Sequence, residues 1–315
     1  MRVGEAGVVK GHSLTISMVL TRLLSSVRAE GLLDVKPDRR TIAFLLSSMV
    51  LVGLQWETIR DLVAYARDER TNSSQVLVIP LISAALLFWD RQRIFARVRY
   101  SVLPGIVVGV LGFALMMAVR YGLVSLNEGD RVVLATASAL TIWVGLFVGF
   151  FGVEAFRAGL FPLAFLALTI PVPELILKPL IGFLQHWSAE ISAVLLRLTG
   201  TPVYREGFFF YMPGVPIHIA PECSGIRSFL SMVILTILTG HLLLQTTWRK
   251  ILLILVAIPI MIFKNAVRIV TLSLLSVYVD PEIIASRLHR EGGIPFFLLA
   301  LLLTYPVLRI LMKTE

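Results

Sequence analysis

The sequence predicts an all-α polytopic membrane protein of about eight transmembrane helices, and three observations predict it. Mean hydropathy is +0.85 and 57% of residues are hydrophobic, far outside the range of a soluble globular domain. Charged residues make up only 16% of the chain and gather between apolar runs instead of spreading over a surface. Those apolar runs reach spanning length. No internal repeat or low-complexity linker interrupts them, so residues 41–315 read as one transmembrane domain behind a basic segment of residues 1–40.

That first segment mixes polar and apolar residues, carries seven Lys/Arg and shows no short apolar core with a small-residue cleavage site. Within it, residues 13–26 read as an amphipathic helix lying on the membrane surface. The spans follow at residues 41–56, 75–89, 100–119, 132–152, 160–177, 226–244, 251–270 and 294–312. The first two are the shortest.

Orientation follows from the Lys/Arg content of the connectors. Arg91, Arg93, Arg97 and Arg99 lie between the second and third spans, Arg249 and Lys250 between the sixth and seventh, and Lys313 after the eighth. Eight spans put all of these on one side with the N-terminal segment, and that side is the cytoplasm. The opposite connectors mix signs, as in residues 57–74, where Arg60, Arg67 and Arg70 accompany Glu57, Asp61, Asp68 and Glu69. Both termini are then cytoplasmic in a cell inner (plasma) membrane. Residues 178–225, the end of the seventh span and residues 271–293 face outward. The same distribution excludes a nucleic-acid partner, because the net charge of +9 marks span ends and forms no basic patch interleaved with aromatics.

The outward segment is the least lipid-like part of the chain. Residues 178–199 have helical periodicity, with Gln185, His186, Ser188, Glu190 and Arg197 opposing Leu180, Ile181, Leu184, Ile191, Val194 and Leu195. That pattern predicts an interfacial helix. Gly200-Thr201-Pro202 ends it. Residues 203–211 and 215–220 then read as a short β-hairpin around Met212-Pro213-Gly214, leading directly to Cys223 at the extracytoplasmic side.

Cys223 is the only cysteine, so an intramolecular disulfide is excluded. It is either a small inert hydrophobe or a thiol kept for its chemistry. Its place at a helix start favours a thiolate, and an outer membrane face is an unusual setting for a structural thiol. A cysteine nucleophile needs a base and donors for an oxyanion. Of the five histidines, His12 is on the cytoplasmic segment. His241 follows Cys223 on one helix, roughly 27 Å away at about 1.5 Å per residue. Nothing in the context of His186 points to the thiol. His218 alternates with apolar strand neighbours, as a surface histidine does. His289 precedes Gly292-Gly293, where the backbone can turn tightly and approach another chain. Those two stay open.

Lys264 and Arg268 share a helix face at i,i+4, with Asn265 on its flank. Snorkelling to headgroups is the plain explanation near a span end. The alternative is a bundle-facing functional pair, with the arginine fork suited to an oxyanion or a carboxylate.

Ala220-x-x-Cys223-Ser224-Gly225-x-Arg227-Ser228, then Asn265-x-x-Arg268-Ile269, then His289 ahead of Phe296-Phe297, resembles the exosortase/archaeosortase family of prokaryotic membrane cysteine transpeptidases. Ile170-Pro171-Val172-Pro173 and Val203-x-Arg205-x-Gly207 extend the similarity, which covers roughly residues 165–300. The resemblance implies a catalytic triad of Cys223, Arg268 and His289, with no metal and no cofactor. Ser224, Gly225, Arg227, Asn265, Lys264 and Glu222 are the supporting or substrate-binding candidates. It implies exported protein substrates whose C-terminal sorting signal combines a short motif such as Pro-Glu-Pro, a transmembrane helix and a basic cluster. A lipid or amine would accept the acyl group from a Cys thioester.

Two other classes compete. A transporter would use Lys264 and Arg268 to bind an anion, but the inverted repeats and broken helices it would need are not apparent. A non-catalytic assembly factor of an envelope polysaccharide system is the other. The predicted topology has a direct test. A membrane-impermeant maleimide labels Cys223 in intact cells, and labelling that appears only after lysis contradicts the orientation.

Overall fold

The structure, a computed structural model, describes residues 38–68, 71, 73–213, 215–280 and 293–314. The chain divides into two units, residues 1–47 and residues 48–315. The expected surface helix at residues 13–26, His12 and His289 lie outside the described residues.

Helix α1 (Arg39–Leu54) exposes Leu45, Leu46, Met49 and Val50, which suits lipid. Gln55 separates it from the amphipathic α2 (Trp56–Arg67), whose first turn carries Glu57 and last turn Arg67, each complementing the helix dipole. Residues Ser74–Leu77 form a 3-10 turn before α3 (Ile79–Trp89), which opens on Pro80, where a missing N–H costs nothing.

Helices α4 (Val102–Arg120) and α5 (Glu128–Ala158) form an antiparallel pair packed on glycine. A Cβ on Gly105 would lie 2.6 Å from the Gly149 Cα, and one on Gly145 would lie 2.6 Å from the Gly109 nitrogen. Backbones this close gain dispersion contacts that lipid cannot offer, the usual basis of helix association in a bilayer. Asn127 caps α5 by accepting the Asp130 N–H at 2.7 Å. Near its other end α5 kinks at Gly152, whose φ of +91° only glycine adopts readily and whose Cβ would collide with the Arg99 carbonyl.

The expected fifth span, residues 160–177, is not one helix. Helix α6 (Leu160–Leu166) runs through a 3-10 turn to Thr169, and the chain then bends by 82° into α7 (Glu174–Leu198). Pro171 and Pro173 cause the break, because each removes a helical donor. The start of α7 is tied to α5 by the Glu174 N–H, which donates to Asp130 Oδ1 at 3.0 Å.

The expected hairpin is a three-stranded antiparallel meander in the order β1 (Tyr204–Glu206), β2 (Phe209–Met212), β3 (Val215–His218). The first of the two expected strands folds back on itself at Gly207, whose φ of +59° turns the chain. Phe210, Met212 and Ile219 are buried against Ile269 and Val270, while Tyr204, Phe209 and Tyr211 are exposed.

Helices α8 (Ile226–Leu243), α9 (Thr247–Tyr278) and α10 (Gly293–Lys313) complete the fold. Leu184 of α7, Phe229 and Met232 of α8, Ala257 and Met261 of α9 and Ala300 of α10 form one core. Among the described residues, five helices are long and apolar enough to cross a membrane, or up to seven spans if each bent pair counts as one. The expected eight included residues 75–89, whose helix α3 has only 11 residues.

The α4–α5 contact predicts an asymmetric response. Gly145→Ala drives a methyl into the facing backbone and lowers stability by roughly 1–3 kcal/mol. Gly109→Ala, whose Cβ meets nothing within 4 Å, is neutral. Thermal unfolding of the two purified variants in detergent separates them, and equal midpoints would contradict the packing.

Candidate active site

The site grows from the turn between β3 and α8. Pro221–Ser224 form a single 3-10 turn, closed by the Cys223 N–H, which donates to the Ala220 carbonyl at 2.8 Å. Gly225 then reverses the chain at φ +78° and starts α8. Two constraints select glycine there. The left-handed backbone is one, and the other is Asn265, whose Oδ1 would stand 2.7 Å from an added Cβ. Cys223 is half-buried at this corner, Ser224 is buried, and Glu222 and Arg227 are exposed on either side.

Two buried side-chain amides hold the turn. Asn265 of α9 donates from Nδ2 to the Cys223 carbonyl at 2.9 Å and to Ser188 Oγ at 3.0 Å. Gln185 of α7 donates from Nε2 to the Ile219 carbonyl at 2.6 Å. The segment carrying the thiol is thus clamped at both ends by two helices. The sequence marked Asn265 as a flank residue and a supporting candidate without its partner, and placed Gln185 and Ser188 on the polar face of an interfacial helix. The structure turns part of that face inward: Gln185 and Ser188, together with Ser192, are buried, while His186 and Arg197 stay exposed beside Phe183, Trp187 and Val194. Polar groups in an apolar bundle find partners in protein, so the polar stripe faces the neighbours. The signal was available in the i, i+3, i+7 spacing of Gln185, Ser188 and Ser192.

Lys264, Asn265 and Arg268 do not sit at a helix end. Helix α9 continues to Tyr278, and Lys264 is 1% exposed, with Nζ donating to Ser228 Oγ at 2.7 Å. Snorkelling is excluded for it. Ser228 Oγ in turn donates to the Gly225 carbonyl at 2.9 Å, so the buried lysine supports the first turn of α8 directly behind the thiol.

Arg268, one turn beyond Lys264, forms one wall of a cavity of about 170 Å³ with Ile269 and Ser273. Cys223 and the 217–220 segment form the other. A thiol and a guanidinium therefore share one small, mostly apolar pocket. In that setting an arginine fork can hold a carbonyl oxygen as charge develops on it, while a thiolate attacks the carbon. His218 lines the same pocket and stacks on Phe209 with ring centroids 4.4 Å apart. His241 is elsewhere, stacked on Phe161 at 3.4 Å, as its distance along α8 required.

The clamp generates a prediction. Asn265→Ala removes the buried Nδ2 bonds to the Cys223 carbonyl and Ser188 Oγ and costs about 1–3 kcal/mol. Gly225→Ala adds backbone strain and a clash with Asn265, and destabilises at least as much. Unfolding midpoints and Cys223 alkylation rates measure both; wild-type values in the two variants would contradict the clamp.

A protein-family model described as transmembrane exosortase matches residues 67–306. No curated protein matches the chain, and no solved structure does.

Proposed function

The chain belongs to the transmembrane exosortase family, and from that premise we propose that it is a membrane-embedded cysteine transpeptidase that cleaves the C-terminal sorting signal of exported proteins. One observation carries the reading: Cys223, on the turn before α8, and Arg268, on α9, line one pocket. The turn that bears the thiol is braced as a preorganised nucleophile must be.

In the proposed reaction the Cys223 thiolate attacks the scissile carbonyl carbon. The C=O electron pair moves to oxygen, where Arg268 and the N–H groups following Cys223 stabilise it. His289 receives the thiol proton and returns it to the departing amine as the tetrahedral species collapses to a thioester. An acceptor amine, or water, then attacks the thioester, loses its proton to His289 and restores the thiol. Asn265, Lys264, Ser224 and Gly225 position the nucleophile. Glu222 and Arg227 flank it on the exposed side, where substrate passes.

The substrates of this reading carry a short motif such as Pro-Glu-Pro, then a transmembrane helix and a basic tail. The charge distribution of the connectors supports an inner-membrane protein with cytoplasmic termini and the pocket on the outer side. A substrate helix with a basic tail adopts the same orientation and emerges level with Cys223.

Co-expression with a tagged protein bearing such a signal tests the proposal. Cys223→Ala abolishes processing and His289→Ala nearly so. Arg268→Lys keeps the charge but loses the fork, and lowers the rate by about 10²–10³, as loss of an oxyanion donor does. Continued processing by Cys223→Ala would sink the enzymatic reading.

A further inference from the structure

The pocket beside Cys223 is touched by four consecutive residues, Ile217, His218, Ile219 and Ala220. Successive residues of a strand point to opposite faces. Ile217 and His218, the last two residues of β3, point to opposite faces, and a cavity that meets both and continues past Ile219 and Ala220 to Cys223 runs along the edge of β3. The other edge of β3 is occupied by β2.

The phase of the ladder shows what the open edge offers. The Ile219 N–H donates to the Phe208 carbonyl at 2.9 Å, and Ile217 is registered opposite Phe210. Bonded and non-bonded pairs alternate along an antiparallel ladder. Ile217 and Ile219 thus bond to the neighbouring chain, while Pro216 and His218 turn their main-chain groups outward. The close stacking of His218 on Phe209 is what a non-bonded pair produces. Pro216, which has no N–H to offer, occupies an outward position, as proline in an edge strand must. The His218 carbonyl is already taken by the Ala220 N–H at 3.1 Å. Among the described residues the edge therefore presents one acceptor, the Pro216 carbonyl, and one donor, the His218 N–H, on either side of Ile217.

We propose that the extended segment of the substrate adds to this edge as a fourth strand parallel to β3. One substrate residue faces Ile217, donates its N–H to the Pro216 carbonyl and accepts the His218 N–H. The proposal rests on the peptide-cleaving reading above and specifies how that site binds its substrate. An unpaired edge is a ready template for a peptide strand. In a parallel ladder one residue bonds to both neighbours of the residue it faces, and those are the two groups β3 leaves open. An antiparallel strand would need paired N–H and C=O groups on Pro216 or on His218. Pro216 lacks the donor and the His218 carbonyl is engaged, so each such pair would lose a bond.

The direction has a consequence for the substrate. β3 leads into Cys223 and then into α8, so a parallel peptide passes the thiol and continues toward the bilayer beside α8. The occupant is an extended segment placed immediately before an apolar helix. The residues flanking its paired residue turn their nitrogens away from β3, so proline is accepted at both positions. A Pro-Glu-Pro segment meets that requirement with glutamate as the paired residue.

The test measures binding, which does not depend on turnover. The Cys223→Ala protein in lipid nanodiscs is titrated with a labelled synthetic peptide of Pro-Glu-Pro followed by an apolar helix. Two analogues accompany it: one replaces the glutamate N–H with an ester oxygen, the other replaces the glutamate carbonyl with a thioamide. The parent binds, and each analogue binds more weakly, the ester by about tenfold for one lost hydrogen bond. Failure of the parent to bind, or equal affinity of parent and ester, overturns the edge strand. Weakening by the ester alone overturns the parallel register. Cleavage of the parent peptide by the Cys223→Ala protein would instead remove the enzymatic reading, while an affinity difference between parent and ester would leave the edge intact as a peptide-binding site.

Discussion

A non-helical segment packed into an apolar bundle has backbone groups that neither lipid nor water can satisfy, and protein must pair them. The buried side of residues 219–225 is such a segment, with only Pro221 and Glu222 exposed. Gln185 takes the carbonyl of Ile219 and Asn265 that of Cys223, and the Cys223 N–H closes on Ala220. The Gly225 carbonyl is shared by the Phe229 N–H and the Ser228 hydroxyl. The arrangement of the surrounding helices follows from this pairing. Helix α7 turns Gln185 and Ser188 inward, α9 presents Asn265 toward the turn, and position 225 is glycine because Asn265 lies where a side chain would go.

The same pairing holds the corner that carries Cys223 in place. The thiol is on a turn, yet its own carbonyl is fixed to a long helix, and that helix also carries Arg268 one turn from Lys264. The two groups that meet in the pocket are therefore held in register through α9 rather than through the loop. Lys264 is costly to bury. It meets a hydroxyl and fixes the start of α8, which suits a role in positioning better than one in binding a mobile anion. The meander adds the opposite wall, and its open edge is the part of the site that no helix supplies.

Several elements were legible in the sequence because their cause is local. The runs that became α4, α5, α8, α9 and α10 are apolar over spanning length, and strand alternation marked the segment before Cys223. Local reasoning erred where two local signals competed. An apolar run through residues 160–177 outweighed Pro171 and Pro173 in the reading, but two prolines within three residues break the helix, where the single Pro179 of α7 and Pro259 of α9 are tolerated. Gly207 divided one expected strand into two. For α7, periodicity marked the helix but not its faces: Gln185 and Ser188 point into the bundle while His186 and Arg197 stay exposed, because buried polar groups there find partners in protein.

By itself the sequence determined the class of the protein, the positions of its main apolar helices and the short list of reactive residues. Hydropathy and residue chemistry act within one turn or one motif. Only the tertiary structure decided which side chains meet. The bonds that define the site join residues 34, 42 and 77 positions apart, from Gln185 to Ile219, Asn265 to Cys223 and Asn265 to Ser188. No periodicity encodes contacts at such separations; they arise when helices pack and buried donors must find acceptors.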